Sequence, residues 1–315
     1  MKCKICGNTN WNSSYLGKEM NFGMGDEFLY FKCAKCGCLQ IAEIPDDMGK
    51  YYPENYYSFH VENVKLKTKL ANYLLKNAIQ SRLGKFKPIG WIARLYRARY
   101  RDLHFYLTNG QFNYNSKILD VGCGIGELLV KMHQWGFRNL AGIDPYLKED
   151  ITYFDTVKLY KKEIFDLHEN FDLIMLHHSF EHMSNPSAIM SKLTELLSDD
   201  GLLIIRIPVV DCYLWRKYQM NWVQVDAPRH FFLHSISSIA LLVQMNGLKI
   251  KEVKYDSINY PFAISEYYSI NGNRCENMKT LSKKDLRLFS KKAKELNRLN
   301  DGDQACFVIE KNNKL

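Results

Sequence analysis

Residues Lys117 to Asp144 read KILDVGCGIGELLVKMHQWGFRNLAGID, an order of apolar runs and glycines that fixes the fold class. A short apolar run, Ile118 to Val121, breaks into Gly122, Gly124 and Gly126. A helical pattern follows, with Leu128, Leu129, Met132 and Trp135 on one face, and a second apolar run closes on Asp144. The unit is strand, glycine turn, helix, strand. Glycines let a backbone approach a ligand closely, a helix start presents unpaired N–H groups, and an acid about 20 residues on can hold two ribose hydroxyls. A nucleoside site follows. Dinucleotide folds use G-x-G-x-x-G and seat a pyrophosphate; this chain has G-x-G-x-G preceded by Asp120. An acid at that position repels a pyrophosphate and suits a ligand with an ammonium group.

The run DVGCGIG, with an acid closing the second strand, resembles the first motif of class I S-adenosylmethionine-dependent methyltransferases. The resemblance implies an α/β fold with a Rossmann-like seven-stranded methyltransferase sheet, parallel except for an antiparallel last strand. It puts Asp120, Gly122, Gly124 and Gly126 against the methionine part of the cofactor and Asp144 on the ribose hydroxyls. After a third strand, Val157 to Tyr160, it implies Glu163 at the adenine amino group and Ile164 at the adenine face, with Asp166 as the alternative acid. A fourth strand, Phe171 to Leu176, runs into HHSFEHM, which is similar to the D-x-I-x-x-x-x-x-x-E-H segment of small-molecule methyltransferases, here Asp172, Glu181 and His182. His177 then borders the cofactor. An imidazole with a pKa near about 6.5 can take a proton from a hydroxyl, so His178 and His182 are candidate bases. The structural alternative for His182 is a brace for the turn.

A fifth strand, Leu202 to Ile207, follows a turn at Asp200-Gly201. Next comes an insertion, PVVDCYLWRKYQMNWVQVDAPRHFFLHS, too polar for core and too aromatic for a passive loop. Aromatic faces with Arg for charged oxygens suit a sugar nucleotide. WVQVDAPRHFFLHS resembles a segment of methyltransferases from bacterial polysaccharide and antibiotic-sugar pathways, many of which carry an N-terminal zinc ribbon. His230 is the first-choice base, oriented by Arg229 and Asp226; the alternative is an aromatic lid closed by a buried Asp226–Arg229 pair. Leu248 to Tyr255 and Ala305 to Glu310 are the last two strands, and Tyr260, Phe262, Tyr267 and Tyr268 between them are candidate pocket walls.

Cys3-x-x-Cys6 and Cys33-x-x-Cys36, each followed by a glycine, form two knuckles. Four thiolates make a closed tetrahedral shell for Zn(II), which points to a structural ion. Cys38 is the spare. Between the knuckles the charges are few and balanced, unlike a nucleic-acid finger. Residues 64–108 carry Lys and Arg from Lys65 to Arg101 against the acid Asp102, a basic helical pattern that reads as a solvated hairpin, a diphosphate surface or a dock for anionic lipid. The expected domains are thus 1–60 (ribbon and aromatic linker), 61–112 (basic helical connector) and 113–315 (methyltransferase domain, with insertions at 208–234 and 256–304).

The chain has 315 residues, 46% of them hydrophobic, and a net charge of +9, which favours anionic partners. The lack of an apolar leader at MKCKICGNTN and of any run of about 18 apolar residues points to a cytoplasmic protein. The expected function is O-methylation of a nucleotide- or lipid-linked sugar, with S-adenosylmethionine as cofactor and structural zinc. The rival within the class is C-methylation of a keto-sugar nucleotide. Outside it stand RNA methylation or nucleic-acid binding, opposed by HHSF where D/N-P-P-Y/F would stand, and a cofactor-binding partner without catalysis.

Overall fold

Apolar runs bounded by turns become a mixed sheet in the computed structural model, which describes residues 1–52, 112–271 and 282–312. The basic connector lies outside the described residues except for Phe112, as does the aromatic stretch beyond Tyr52. The strands are β4 (Lys117–Val121), β5 (Asn139–Ile143), β6 (Ile151–Tyr153), β7 (Val157–Tyr160), β8 (Phe171–His177), β9 (Leu197–Pro208), β11 (Leu248–Tyr255) and β12 (Gln304–Lys311). Their order is β11-β12-β9-β8-β4-β5-β7-β6. β4 pairs parallel with β5 and β8, β5 parallel with β7, and β11 antiparallel with β12.

The sheet has eight strands, not the seven expected, because β6 adds antiparallel to β7. The intervening turn is held in the left-handed region at Phe154 and Asp155, with φ of 56° at each. It contains no Gly or Asn to mark it in the sequence. The helix α1 (Glu127–Trp135) supplies what the turn lacks: His133 stacks on Phe154 at 4.6 Å and its Nδ1 lies 2.6 Å from Thr156 Oγ1. The expected turn at Asp200-Gly201 is absent as a separate element. α2 (Pro186–Leu196) ends directly into β9, and Gly201 sits where a Cβ would lie 3.0 Å from the Ser198 carbonyl.

The chain divides into two units. One comprises Glu54–His177, Lys192–Ile204 and Asn313–Leu315; the other comprises Met1–Pro53, His178–Ser191 and Ile205–Asn312. The second contains a four-stranded sheet ordered β1-β2-β3-β10, from β1 (Ser13–Lys18), β2 (Glu27–Lys32), β3 (Leu39–Ile41) and β10 (Phe232–Leu233). The cysteine ribbon therefore borrows its last strand from the aromatic insertion, about 200 residues away in sequence. Tyr30 Oη donates to the His230 carbonyl at 3.0 Å, and the Ser235 hydroxyl donates to the Cys36 carbonyl.

The insertion is core rather than a stacking platform. Trp222 is fully buried, Trp215 and Tyr218 nearly so, and Trp215 packs edge-on against Tyr15 of β1 at 5.2 Å. Their polar atoms are satisfied internally: Trp222 Nε1 donates to Asp303 at 3.2 Å and Tyr218 Oη to Glu266 at 2.5 Å. In α5 (Asn259–Asn271), Phe262 is likewise buried and stacks on Phe289 of α6 (Lys283–Arg298) at 5.8 Å. Tyr268 packs with Ile264 and Met20.

Arg229 clamps this unit. It is fully buried, with Nε 3.0 Å from Asp226 Oδ2, Nη2 2.6 Å from Asp226 Oδ1 and 2.9 Å from Glu19 Oε1, and Nη1 3.1 Å from the Tyr51 carbonyl. Removing one partner of a buried pair strands the other charge, at a cost of about 3–5 kcal/mol. Arg229→Ala is expected to destabilise the fold by about that amount, read as a fall in the denaturation midpoint at constant slope; a loss within about 0.5 kcal/mol would contradict the clamp.

Candidate functional site

In the unit holding β4 and β5, the glycine turn forms because backbone bonds close it on itself. Gly122 and Cys123 N–H both donate to the Ile143 carbonyl, at 2.8 and 3.1 Å, and Gly126 N–H to the Cys123 carbonyl at 2.9 Å. Gly122, Gly124 and Gly126 all have positive φ, and a Cβ on Gly126 would lie 2.8 Å from Leu159. Gly126 caps α1, so the first N–H groups of that helix open onto the turn. Asp144 Oδ2 accepts from Gly124 N–H at 3.0 Å, and Oδ1 from Tyr146 N–H at 3.0 Å.

Asp120 is buried at the end of β4. Burial first, and then the charge of Asp144, push its carboxyl up to about 7. Two buried acids beside free helix N–H groups make a cradle selective for a ligand with a positive centre and a hydroxyl-rich ring. Glu163 is exposed, and its N–H is bonded by Asp166 at 3.0 Å; Ile164 is buried beside it. The phenol of Tyr146 is raised by burial, then by Asp144 and Glu163, which puts those acids in one neighbourhood. His177 ends β8. Asp172 has a structural task, accepting from Lys117 N–H at 2.8 Å at the start of β4.

In the other unit, four histidines gather around Glu181, in a 3-10 turn formed by Phe180–His182. His178 has φ of 52°; its Nε2 faces Arg206 Nη1 at 3.3 Å and its Nδ1 lies 3.3 Å from Glu181 Oε1. Arginine can only donate, so the His178 proton is on Nδ1. His182 Nδ1 lies 2.8 Å from the Arg229 carbonyl, and Tyr52 Oη 3.4 Å from the same nitrogen. His230 Nδ1 lies 2.7 Å from the Gln224 carbonyl. A carbonyl only accepts, so both rings carry their proton on Nδ1 and leave Nε2 a lone pair.

Asp226 stands 3.9 Å from His230 Nε2, beyond hydrogen-bond length, because its oxygens are taken by Arg229; the Gln224 carbonyl orients the ring instead. Burial, and then His182, hold His230 down to about 4, so it is neutral at neutral pH. Burial would raise Glu181, but His178, His230 and His182 outweigh it and bring the carboxyl down to about 2. Both results leave an ionised Glu181 carboxylate beside a neutral His230 at pH 7.

The four knuckle thiols lie within 4.8 Å of one another, with Cys3–Cys36 at 3.6 Å and Cys6–Cys33 at 3.5 Å. Zn–S bonds of about 2.3 Å in a tetrahedron give S–S edges of about 3.8 Å, so the donor set fits zinc. Gly7 and Gly37 adopt positive φ at the knuckle turns. N–H groups already face the sulfurs, Gln40 Nε2 to Cys3 at 3.2 Å and Ile5 N–H to the same sulfur at 3.4 Å. Such donors stabilise thiolates.

A family model described as a methyltransferase domain matches residues 91–253 of this chain. The chain belongs to that methyltransferase family. Its matched part includes the acid cradle and the histidine cluster. The chain is 34% identical over 140 residues to a ubiquinone biosynthesis O-methyltransferase of Glaesserella parasuis, covering 39% of this chain and 55% of that protein. It is 28% identical over 116 residues to an (S)-coclaurine N-methyltransferase of Papaver somniferum, covering 33% of this chain and 32% of that protein. The chain thus spans between about a third and about half of the length of these relatives. Among solved structures, a SAM dependent methyltransferase from Archaeoglobus fulgidus aligns with a TM-score of 0.41 at 19% identity, over 69% of this chain and 92% of that one.

Three residues of the methyltransferase's sites escaped sequence reasoning as site residues: Tyr146 beside Asp144, Cys123 inside the glycine turn, and Glu181. Only the last had a signal, its place in the E-H pair. Asp120 also carries a stability consequence. An acid whose folded pKa is raised to about 7 destabilises the fold above its unfolded value of about 3.9, increasingly until the pH passes about 7. Asp120→Asn is therefore expected to raise the Tm of the ligand-free protein by several degrees at pH 8 and by less at pH 5; an equal effect at both would contradict the assignment.

Proposed function

We propose that the protein moves the methyl group of S-adenosylmethionine onto a hydroxyl of a sugar carried by a nucleotide or a lipid, in surface polysaccharide or natural-product assembly. The observation that carries the reading is the pair of buried acids on the glycine turn, Asp120 and Asp144, in a chain of the methyltransferase family. Asp120 and the turn at Gly122, Gly124 and Gly126 would meet the methionine part; Asp144 would hold the ribose; Glu163, Ile164 and His177 would border the adenosine. A sulfonium methyl needs alignment and a deprotonated acceptor rather than further activation.

For the acceptor, His230 is the first base and His182 the second, since each keeps an unprotonated Nε2; His178 has its proton on Nδ1, 3.3 Å from Glu181, and its Nε2 against Arg206. S-adenosylmethionine, when bound, would supply the electrophilic methyl and keep the C–S electron pair as thioether, while His230 or His182 would take the proton of the acceptor hydroxyl. Cys3, Cys6, Cys33 and Cys36 would hold a structural zinc, closed to substrate. A net charge of +9 suits a phosphorylated acceptor.

Titration calorimetry tests the cofactor half. Binding of S-adenosylmethionine should be micromolar and lost in Asp144→Ala. Its affinity should rise between pH 6 and pH 8, by up to about tenfold per unit below the Asp120 midpoint of about 7, because a cationic ligand needs Asp120 ionised. Asp120→Asn should abolish that pH dependence. Failure of the wild-type protein to bind would remove the reading. Label from a methyl-labelled cofactor should then pass to a member of a nucleotide-sugar panel, and transfer should fall at least about a hundredfold in His230→Ala.

A further inference from the structure

We infer that Glu181 is a positioning residue for the acceptor-side base, a buried carboxylate whose charge stabilises the imidazolium formed at His230 or His182. The inference rests on the methyl-transfer reading and adds to it a residue and a task. Glu181 is fully buried, and neither carboxylate oxygen has a hydrogen bond among the described residues. A buried carboxylate is ordinarily hydrogen-bonded, since leaving one bare is costly.

The geometry explains what the carboxylate awaits. Ligand atoms of Glu181, His182 and His230 lie within 4.8 Å of one another. The Arg229 and Gln224 carbonyls fix the protons of His182 and His230 on Nδ1, so that Nε2 of each ring is the atom left to take a proton. Once an acceptor proton arrives on either ring, the imidazolium lies within 4.8 Å of the buried carboxylate and is stabilised by its charge. The stabilisation exists only after proton transfer, which is where it accelerates the reaction.

The groups facing Glu181 or its imidazoles come from every neighbouring element. His178 and His182 flank it on its own turn. Asp226, Arg229 and His230 come from the insertion, and His234 follows β10. Arg206 and Asp256 stand behind His178, with Arg206 Nε 2.6 Å from Asp256 Oδ2, and Tyr52 reaches His182. Asp226 is saturated by Arg229, and His234 is fully buried with Nδ1 3.1 Å from Ser238 Oγ. Asp303, which also interacts with His178, has Oδ2 bonded by Trp222, so Glu181 is the carboxylate in this set with both oxygens unpartnered among the described residues.

Histidine-selective isotope labelling and nuclear magnetic resonance test this without an acceptor. In the wild-type protein at pH 7, Nε2 of His182 and His230 should be unprotonated; an Nε2–H tautomer at both would overturn the inference. In Glu181→Gln, the pH midpoint of His230, about 4 in the wild-type protein, should fall by at least about one unit while the protein stays folded. Glu181→Asp should lie between. An unchanged midpoint in a folded Glu181→Gln protein would overturn the inference, as would two bound metal ions per chain with one lost on that substitution. Because these signals are read without cofactor, failure to bind S-adenosylmethionine would remove the methyl-transfer reading while leaving the imidazole result standing.

Discussion

A guanidinium with no access to water sets the terms for the ribbon-bearing unit. Arg229 is buried between Asp226, three residues before it, and Glu19, 210 residues before it. The guanidinium could not stay buried without these carboxylates, and Glu19, though also bonded by the Phe22 and Met24 N–H groups, would lose its counter-charge without it. The hairpin loop of the ribbon and the loop carrying His230 therefore form together or not at all. The borrowed strand β10 and the Tyr30 bond to the His230 carbonyl act in the same direction. The ribbon is in this sense built together with the His230 loop, and its cysteines brace a loop far from them in sequence.

The two groups of functional residues use burial in opposite ways. Around the glycine turn, burial and a neighbouring acid raise Asp120, so negative charge is stored until a cation calls it up. Around Glu181, burial and imidazole neighbours depress His230, so a neutral base is kept ready while the carboxylate stays ionised. The first arrangement is unfavourable for the resting protein near neutral pH and becomes favourable when a cation arrives; groups with such shifted titration are where function is expected to reside.

Much of this was legible because it is local. The glycine turn, α1 and the knuckles follow from residues a few positions apart, and β11 matches its expected span from Leu248 to Tyr255. What could not be read is non-local or lacks its usual marker. β6 turns through Phe154 and Asp155, where His133 rather than a glycine stabilises the bend. Trp215 and Trp222 looked like a ring-stacking surface because the sequence hides Tyr15 and Asp303, which bury and satisfy them. The Asp226–Arg229 pair was foreseeable from its spacing, but Glu19 was not, and without Glu19 the pair reads as a local staple rather than a clamp between distant loops.

The claim that the ribbon and the His230 loop are one cooperative structure is best tested by opening the knuckles. Hydrogen exchange should be followed by mass spectrometry while a mercurial titrates the four knuckle thiols, comparing peptides across Cys33–Ile41 and Gln224–Leu233. The account predicts that both lose protection in the same step. Retained protection across Gln224–Leu233 after the knuckle peptides have opened would contradict it.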